Sequence, residues 1–488
     1  MGLLLAGVGA ALATAPPAQS APFVYVTNAF GSSTVSQFAV GAGGLLSPLV
    51  PPSVPAVVDT RRVAVNPDGK SVYVTNTGVD SLSQYDLGAG GVLSPKNPAT
   101  VSVFNPQGVA VSPDGKSVYV TNGGQPTVSQ FDVGPGGRLT PKSPPSVGSG
   151  FAPLGVATSP DGRSLYVLNG GDNSVSQYDV GPGGRLSPKS PTTVPTDISP
   201  DSVAVSPDSK AVYVSTSTGV SQYSAGDGGR LSPLSPASVP AGAVPSGVAV
   251  APDARSVYVA DSNGNSVSQY DVGARGALSP KSPPRVATGD IAQAVAVSPD
   301  GKSVYVTGVG KGAVSQFDVS SGGRLVPKSP ASVAAGAGAW GVAVSPLLPT
   351  ARDDALFGTA GDDVICALGG ADVVRGLAGD DTLAGERCGG RASVAQRAFP
   401  REGTNDRLDG GEGDDLLHGG PGRDLLRGGA GNDRLDGARG ADRLLAGAGR
   451  DRVNARDGRR DSVSCGAGRD TVSADGRDQL RGCERVRR

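Results

Sequence analysis

Aspartate recurs at a fixed step toward the C-terminal end of this 488-residue chain. Asp363, Asp372 and Asp381 stand nine residues apart, and the step resumes at Asp406, Asp415, Asp424, Asp433, Asp442 and Asp451. Asp461, Asp470 and Asp478 continue it with steps of ten, nine and eight. Glycine crowds the positions ahead of these residues, with full pairs at Gly410-Gly411, Gly419-Gly420 and Gly428-Gly429. Each of the twelve Asp has an aliphatic residue two positions later, from Ile365 to Leu480. A carboxylate supplies a hard, anionic oxygen, and glycine lets backbone carbonyls come close to an ion. That is the ligand chemistry of Ca²⁺, which gathers about six to eight oxygens. One turn cannot complete such a shell, so neighbouring turns must share each ion. The candidate metal ligands are Asp363, Asp372, Asp381, Asp406, Asp415, Asp424, Asp433, Asp442, Asp451 and Asp470.

Arg423, Arg450, Arg469 and Arg477 directly precede an Asp of the series, where a cation would oppose ion binding. The strongest sites are therefore expected between Gly410 and Asp442, with a second group from Gly361 to Asp381. The distal units are expected to be coils with weak sites or none. Composition alone also suits a disordered Asp/Gly/Arg-rich tail, but strict phase over a dozen units argues against it. The repeat resembles the RTX nonapeptide, Gly-Gly-x-Gly-x-Asp-aliphatic in outline. That resemblance implies a parallel β-roll that binds Ca²⁺ and has the aliphatic row as its only core.

All four cysteines lie in this region, an even number that favours disulfides in an exported chain. Cys465 and Cys483 are 18 residues apart, two nonapeptides, or about one circuit of a two-sided roll. Stacked strands lie roughly 4.8 Å apart, close to the Cα separation that a disulfide tolerates. Cys366 and Cys388 are 22 apart, with Cys388 in an irregular stretch at 385–401. Pairs 366–388 and 465–483 are favoured over a zinc site, whose usual ligand spacings are absent. The single histidine, His418, is read as an exposed side chain.

A second repeat fills the rest of the chain. Tyr25, Tyr73, Tyr119, Tyr166, Tyr213, Tyr258 and Tyr305 each begin a Tyr-Val tetrad, 45 to 48 residues apart. A VAV-like run, a Ser-Gln pair and a Leu-x-Pro motif recur in phase with it, for example Val109, Gln130 and Pro141. Each unit therefore carries four short segments with alternating β-branched and aromatic residues. Ser-Pro-Asp-Gly supplies the first turn, with Pro presetting φ and Gly accepting a positive φ. The fourth segment is loaded with Pro, which cannot donate to a ladder and belongs on an edge. Four strands per unit with a blunted outer strand describe a propeller blade. The chain enters on a second strand, Phe23–Asn28, and leaves the repeats on an isolated first strand around Gly341–Pro346. Joining these ends closes a ring of seven blades.

The phrases VAVSPDGKSVYVTN and VSQFDVGPGGRL resemble the YVTN family of β-propellers, related to bacterial lactonase-like propellers. The resemblance covers residues 23–346. It implies that the residue just before each innermost strand sits at the mouth of a central channel. The matching ring here is Arg61, Gln107, Leu154, Asp201, Ser246, Gln293 and Trp340. Lactonase-like relatives often carry His or Arg there, and their catalysis is attributed to His, Arg and acidic side chains. This ring has no His, and the propeller repeats contain no Glu. Asp201 beside Arg61 is the one candidate for a positioned base on the ring. No catalytic residue is therefore assigned. Arg61, Gln107, Asp201, Gln293 and Trp340 remain as a possible ligand ring, with Trp340 and Arg61 as anchors.

The elements that must position these groups agree with the composition. Gly is 75 and Pro 40, while 38% of residues are hydrophobic. Many short strands joined by tight turns suit those figures, and long helices do not. A net charge of −1 gives no general electrostatic case for nucleic acid or a membrane surface. All ten Lys lie at or before Lys328 and all four Glu at or after Glu386, which marks two domains. Leu3–Ala13 is an apolar run too short to span a bilayer, followed by small residues before Ala21. It reads as a signal peptide, although no Lys or Arg precedes it. The expected organisation is all-β: signal peptide 1–20, seven-bladed propeller 21–346, linker 347–352, and calcium-binding roll 353–488. The expected protein is secreted and non-enzymatic. Calcium is its cofactor, no membrane span remains in the mature chain, and the propeller binds an unknown extracellular ligand. The alternative is a lactonase-like hydrolase carried by the propeller.

Overall fold

A computed structural model describes residues 22–31, 33–88, 90–346 and 405–487, with four short strands between 355 and 384. The expected signal peptide and the 347–352 linker lie outside the described residues.

Seven four-stranded antiparallel sheets form the first part. Blade two, for example, runs Thr60–Val65, Ser71–Asn76, Ser81–Leu87 and Leu93–Ser102 from the inside outward. Its second strand is buried along its whole length, while the outer strand is largely open to solvent. Blade one takes its innermost strand, Ala339–Val344, from the far end of the repeats. That strand pairs with Phe23–Asn28 in the register Val24↔Val344 and Tyr25↔Ala343, so the two ends close the ring.

Side chains repeated once per blade tie each blade to the next. Tyr119 packs against Val167 and Tyr178 of the following blade, and its hydroxyl donates to the Gly184 carbonyl there at 2.7 Å. Burial pushes that hydroxyl's pKa up to about 12. Gln130 donates to the Pro144 carbonyl of its own outer strand at 2.9 Å and accepts the Leu186 N–H of the next blade at 3.2 Å. Lys142, 5% exposed, pairs with Asp132 and donates to the Gly183 carbonyl of the following blade at 2.7 Å. The Ser-Gln pairs thus bond within and between sheets, and the Tyr rows pack between blades.

The second part is a parallel roll. Two seven-stranded sheets face each other, each strand pairing with the one a full circuit away. Leu408↔Leu426↔Leu444 on one side and Leu417↔Leu435↔Val453 on the other show the 18-residue register. The inward row, Val374 to Val472, forms one thin core with Ala446, Ala455, Ala474 and Cys465. Val374 pairs with Leu408 and Leu383 with Leu417, so the irregular stretch 385–401 interrupts the sequence period without interrupting the ladder. Register later stretches to Leu444↔Val463, matching the ten-residue step before Asp461.

Candidate functional site

From Asp406 to Asp470, each turn of the roll places its Asp just before a strand and turns the carboxylate inward. Asp406, Asp415, Asp424, Asp433, Asp442, Asp451 and Asp470 are all 2% exposed or less. Each Oδ1 from Asp424 to Asp451 accepts the backbone N–H of the Asp one circuit earlier. Asp406 N–H donates to Asp424 at 2.8 Å, Asp415 N–H to Asp433 at 3.0 Å and Asp433 N–H to Asp451 at 2.9 Å. Adjacent coils are therefore stitched by the carboxylates themselves. In Asp442, Asp451 and Asp470 the second oxygen, Oδ2, is buried without a hydrogen-bond partner. An ionised oxygen in that position is costly unless a cation or proton neutralises it.

The glycines explain how other oxygens reach the same place. A Cβ on Gly428 would lie 2.3 Å from Asp433 Oδ2 and 2.4 Å from the Ala446 carbonyl of the next coil. A Cβ on Gly410 would meet Asp415 Oδ2 at 2.2 Å and the Gly428 carbonyl at 2.7 Å. Carboxylate and carbonyl oxygens from adjacent coils thus line one cradle that only glycine leaves open. Among the described residues no three His, Cys, Asp or Glu side chains form a metal cage by themselves. A Ca²⁺ shell here must therefore draw on backbone carbonyls, which this geometry supplies and which suit a hard cation. The residues present fit calcium.

Electrostatics follow from this crowding. Burial raises the Asp442 carboxyl to about 7, with Asp461, Asp457 and Asp436 adding like charge and the Asp424 N–H opposing it. Burial likewise raises Asp451 and Asp461 to about 6. Arg423, Arg450, Arg469 and Arg477 are exposed, on the solvent side of their turns. The ladder also continues through Asp461, 2% exposed, whose Oδ1 accepts the Asp442 N–H at 2.8 Å. Asp461 was visible in the sequence as a residue in phase. Less visible are Asp457 and Asp475, whose Oδ2 atoms accept the Gly440 and Gly458 N–H groups of the preceding coil at 2.8 and 2.7 Å. His418 is exposed, with Nδ1 3.5 Å from Asp436 Oδ2. Cys465 and Cys483 form a disulfide across one circuit, with Cα atoms 5.2 Å apart. Asp363, Asp372, Asp381 and the 366–388 pair fall outside the described residues.

At the propeller's centre, Arg61, Gln107, Leu154, Ser246, Gln293 and Trp340 each take the second position of an innermost strand, and Asp201 directly precedes one. The Thr of the YVTN motif anchors this ring. Thr27 accepts the Gly341 N–H of its own blade at 2.8 Å and donates to the Arg61 carbonyl of the next at 2.8 Å. Thr121 does the same between Gly108 and Leu154, and Thr307 between Ala294 and Trp340. The Arg61 guanidinium stacks 4.3 Å above the Trp340 ring and pairs with Asp59 at 2.8 Å. Phe30 meets Trp340 edge-on at 6.4 Å. Asp201 is held by Arg62 rather than Arg61, with Nη2 at 3.3 and 3.4 Å from its two oxygens. Arg62 belongs to blade two and Asp201 to blade five, so this pair spans the channel. Spacing alone could not tell which of two adjacent arginines would cross it.

These features define a closed seven-bladed propeller carrying, further along the chain, an RTX-type calcium roll. Residues 20–152, 63–215 and 184–347 match the family model for lactonase, 7-bladed beta-propeller, and the chain belongs to that family. The RTX calcium-binding nonapeptide repeat matches in four copies, at residues 350–385, 402–435, 418–453 and 427–460. A putative 6-phosphogluconolactonase from Bacteroides fragilis is similar in structure, with 18% identity and a TM-score of 0.57, over 67% of this chain and 98% of that one. The periplasmic gluconolactonase of Pseudomonas aeruginosa gives 22% identity and a TM-score of 0.55, over 67% and 99% of the two chains. At these identities the likeness is one of fold. No curated protein matches the sequence.

Proposed function

We propose that this is a secreted calcium-binding protein whose propeller is an extracellular binding module. The observation that carries the calcium half is the row of buried carboxylates, with partnerless Oδ2 atoms at Asp442, Asp451 and Asp470, in a roll whose coil carbonyls converge with the Oδ2 atoms of Asp415 and Asp433. Ca²⁺ would supply the missing positive charge and bridge successive coils, held by Asp406 through Asp470 with the turn carbonyls. The disulfide and the RTX repeats support an oxidising, calcium-rich surrounding, where modules of this kind bind at about 10⁻⁴–10⁻³ M. Calorimetric titration of the full chain with Ca²⁺ tests this. Binding should weaken by about tenfold or more in a D433N/D442N variant, and the absence of any binding at millimolar calcium would refute it.

The binding half is supported by the Arg61–Trp340 stack, which presents a cation and an aromatic face at the ring. Family membership favours a second reading, lactone hydrolysis at the same mouth. Asp201 with Arg62 is the arrangement that reading would use, since neither His nor Glu is available there. Assaying lactone hydrolysis in the unmodified chain and in D201A and R62A separates the two. Robust turnover abolished by either substitution would establish the hydrolase and sink the pure binding module.

A further inference from the structure

Four successive blades, two to five, carry an apolar residue pushed into solvent beside the channel mouth. In blade two it is Val58, 64% exposed, whose neighbour Asp59 is already paired with Arg61. The other three form an arc: Phe104, Phe151 and Ile198 are 47%, 67% and 56% exposed. Each lies three residues before a ring position, in the loop that enters an innermost strand. The residue after each adopts a left-handed backbone: Asn105 at φ 38°, Ala152 at φ 49° and Ser199 at φ 54°. The same left-handed step recurs at Asp59, Val244 and Gly338 in other blades, so it is part of the blade's entry loop and fixes that loop's course.

These loops are also pinned in place. Asp80 Oδ1 accepts the Asn105 N–H at 2.8 Å, Asp172 Oδ2 the Phe151 N–H at 2.7 Å, and Asn173 Oδ1 the Ser199 N–H at 2.8 Å. Phe104 lies against Gly124, where an added Cβ would come within 2.7 Å of its ring. The apolar groups are thus presented in a fixed geometry. Scattered exposed hydrophobics need no explanation, but repetition at one blade position in four successive blades does.

Charge says what covers them. Asp80, Asp172 and Asp197 stand beside Phe104, Phe151 and Ile198, and among the described residues no Lys or Arg pairs with any of the three. The two mouth arginines are already matched by Asp59 and Asp201. The arc therefore combines rigid aromatic and aliphatic anchors with uncompensated negative charge. We propose that it docks an extended polypeptide segment in which apolar side chains alternate with Lys or Arg. The apolar anchors would supply affinity and the carboxylates orientation. This rests on reading the propeller as a binding module and names the chemistry of its partner.

The test uses the full chain in saturating calcium and a fluorescein-labelled peptide of alternating Phe and Lys, read by fluorescence anisotropy. Controls are the same peptide with Glu for Lys, and with Ser for Phe. Micromolar binding of the Phe/Lys peptide alone is expected, weakening as salt rises. An F104S/F151S variant should weaken it by about tenfold or more. So should D80N/D172N/D197N, which removes the charge while keeping the Asp80 and Asp172 side-chain oxygens that cap their loops. A melting curve matching the unmodified chain shows that each variant is folded. Equal binding by all three peptides, no binding, or affinity unchanged in both folded variants would each overturn the proposal. Binding lost in W340A but kept in F104S/F151S would also overturn the arc, while leaving the propeller a binding module centred on its ring.

Discussion

Single atoms decide whether the coils of the roll can share an ion. Gly428 is the clearest case, because a methyl there would stand within 2.4 Å of both Asp433 Oδ2 and the Ala446 carbonyl. Carboxylate or strand must move, and the oxygens lose their common focus. G428A should therefore lower calcium affinity by about tenfold, roughly 1.4 kcal/mol, measured by calorimetry on the full chain. An unchanged titration would mean that the cradle is not the binding place. In the propeller the matching test is Gln130, whose removal leaves the buried Leu186 N–H and the Pro144 carbonyl short of a partner. Q130L should cost about 1–3 kcal/mol by denaturant unfolding. The Asp row was legible in the sequence because a strict period with an inward aliphatic leaves little freedom in a thin roll. Which arginine reaches Asp201 was not, since neighbouring residues on a strand point to opposite faces and their reach depends on channel width. The exposed Phe104 and Phe151 were equally hidden: the repeat marks their place in the blade, but not whether a loop side chain there is covered or open to solvent.

At the scale of the coil, stability is coupled to protons. An unfolded Asp ionises near 3.9, whereas Asp442 in the calcium-free roll holds its proton to about 7, and Asp451 and Asp461 to about 6. As pH rises from about 4 toward 7, the unfolded chain sheds its protons first. The calcium-free roll therefore loses stability across that window and is least stable above it. In chelator, the roll's β signal by circular dichroism should be stronger at pH 5 than at pH 7.5. Calcium, which competes with those protons, should bind more tightly at pH 7.5 than at pH 5. A calcium-free roll that gains order as pH rises would contradict this. The Cys465–Cys483 bridge acts on the same coils by limiting the unfolded chain. A closed loop of 18 residues corresponds to about 3 kcal/mol. A C465S/C483S variant should need several-fold more calcium to reach half of its ordered signal.

The whole molecule joins two ways of ending a β-fold. The propeller abolishes its open ends by closing a ring, with Ala339–Val344 completing blade one, and it buries whole strands between blades. Its closure rests on strand pairing and on packing between blades. The roll has one large inward aliphatic per nonapeptide, joined in its later coils by a small Ala or Cys, too little apolar burial to offset chain entropy of about 1–2 kcal/mol per residue. Its folding must therefore draw on ion binding, as other metal-dependent domains do. A thermal scan of the full chain followed by circular dichroism should show two transitions in millimolar calcium. In chelator at pH 7.5 the roll's transition should vanish, while the propeller's midpoint stays within about 2 °C of its calcium value. Deleting residues 339–346 should reverse the pattern: the propeller transition falls because blade one loses its inner strand, and the calcium-dependent transition persists. A propeller midpoint that tracked calcium as closely as the roll would show that the two parts fold as one unit, and independent closure of the ring would have to be given up.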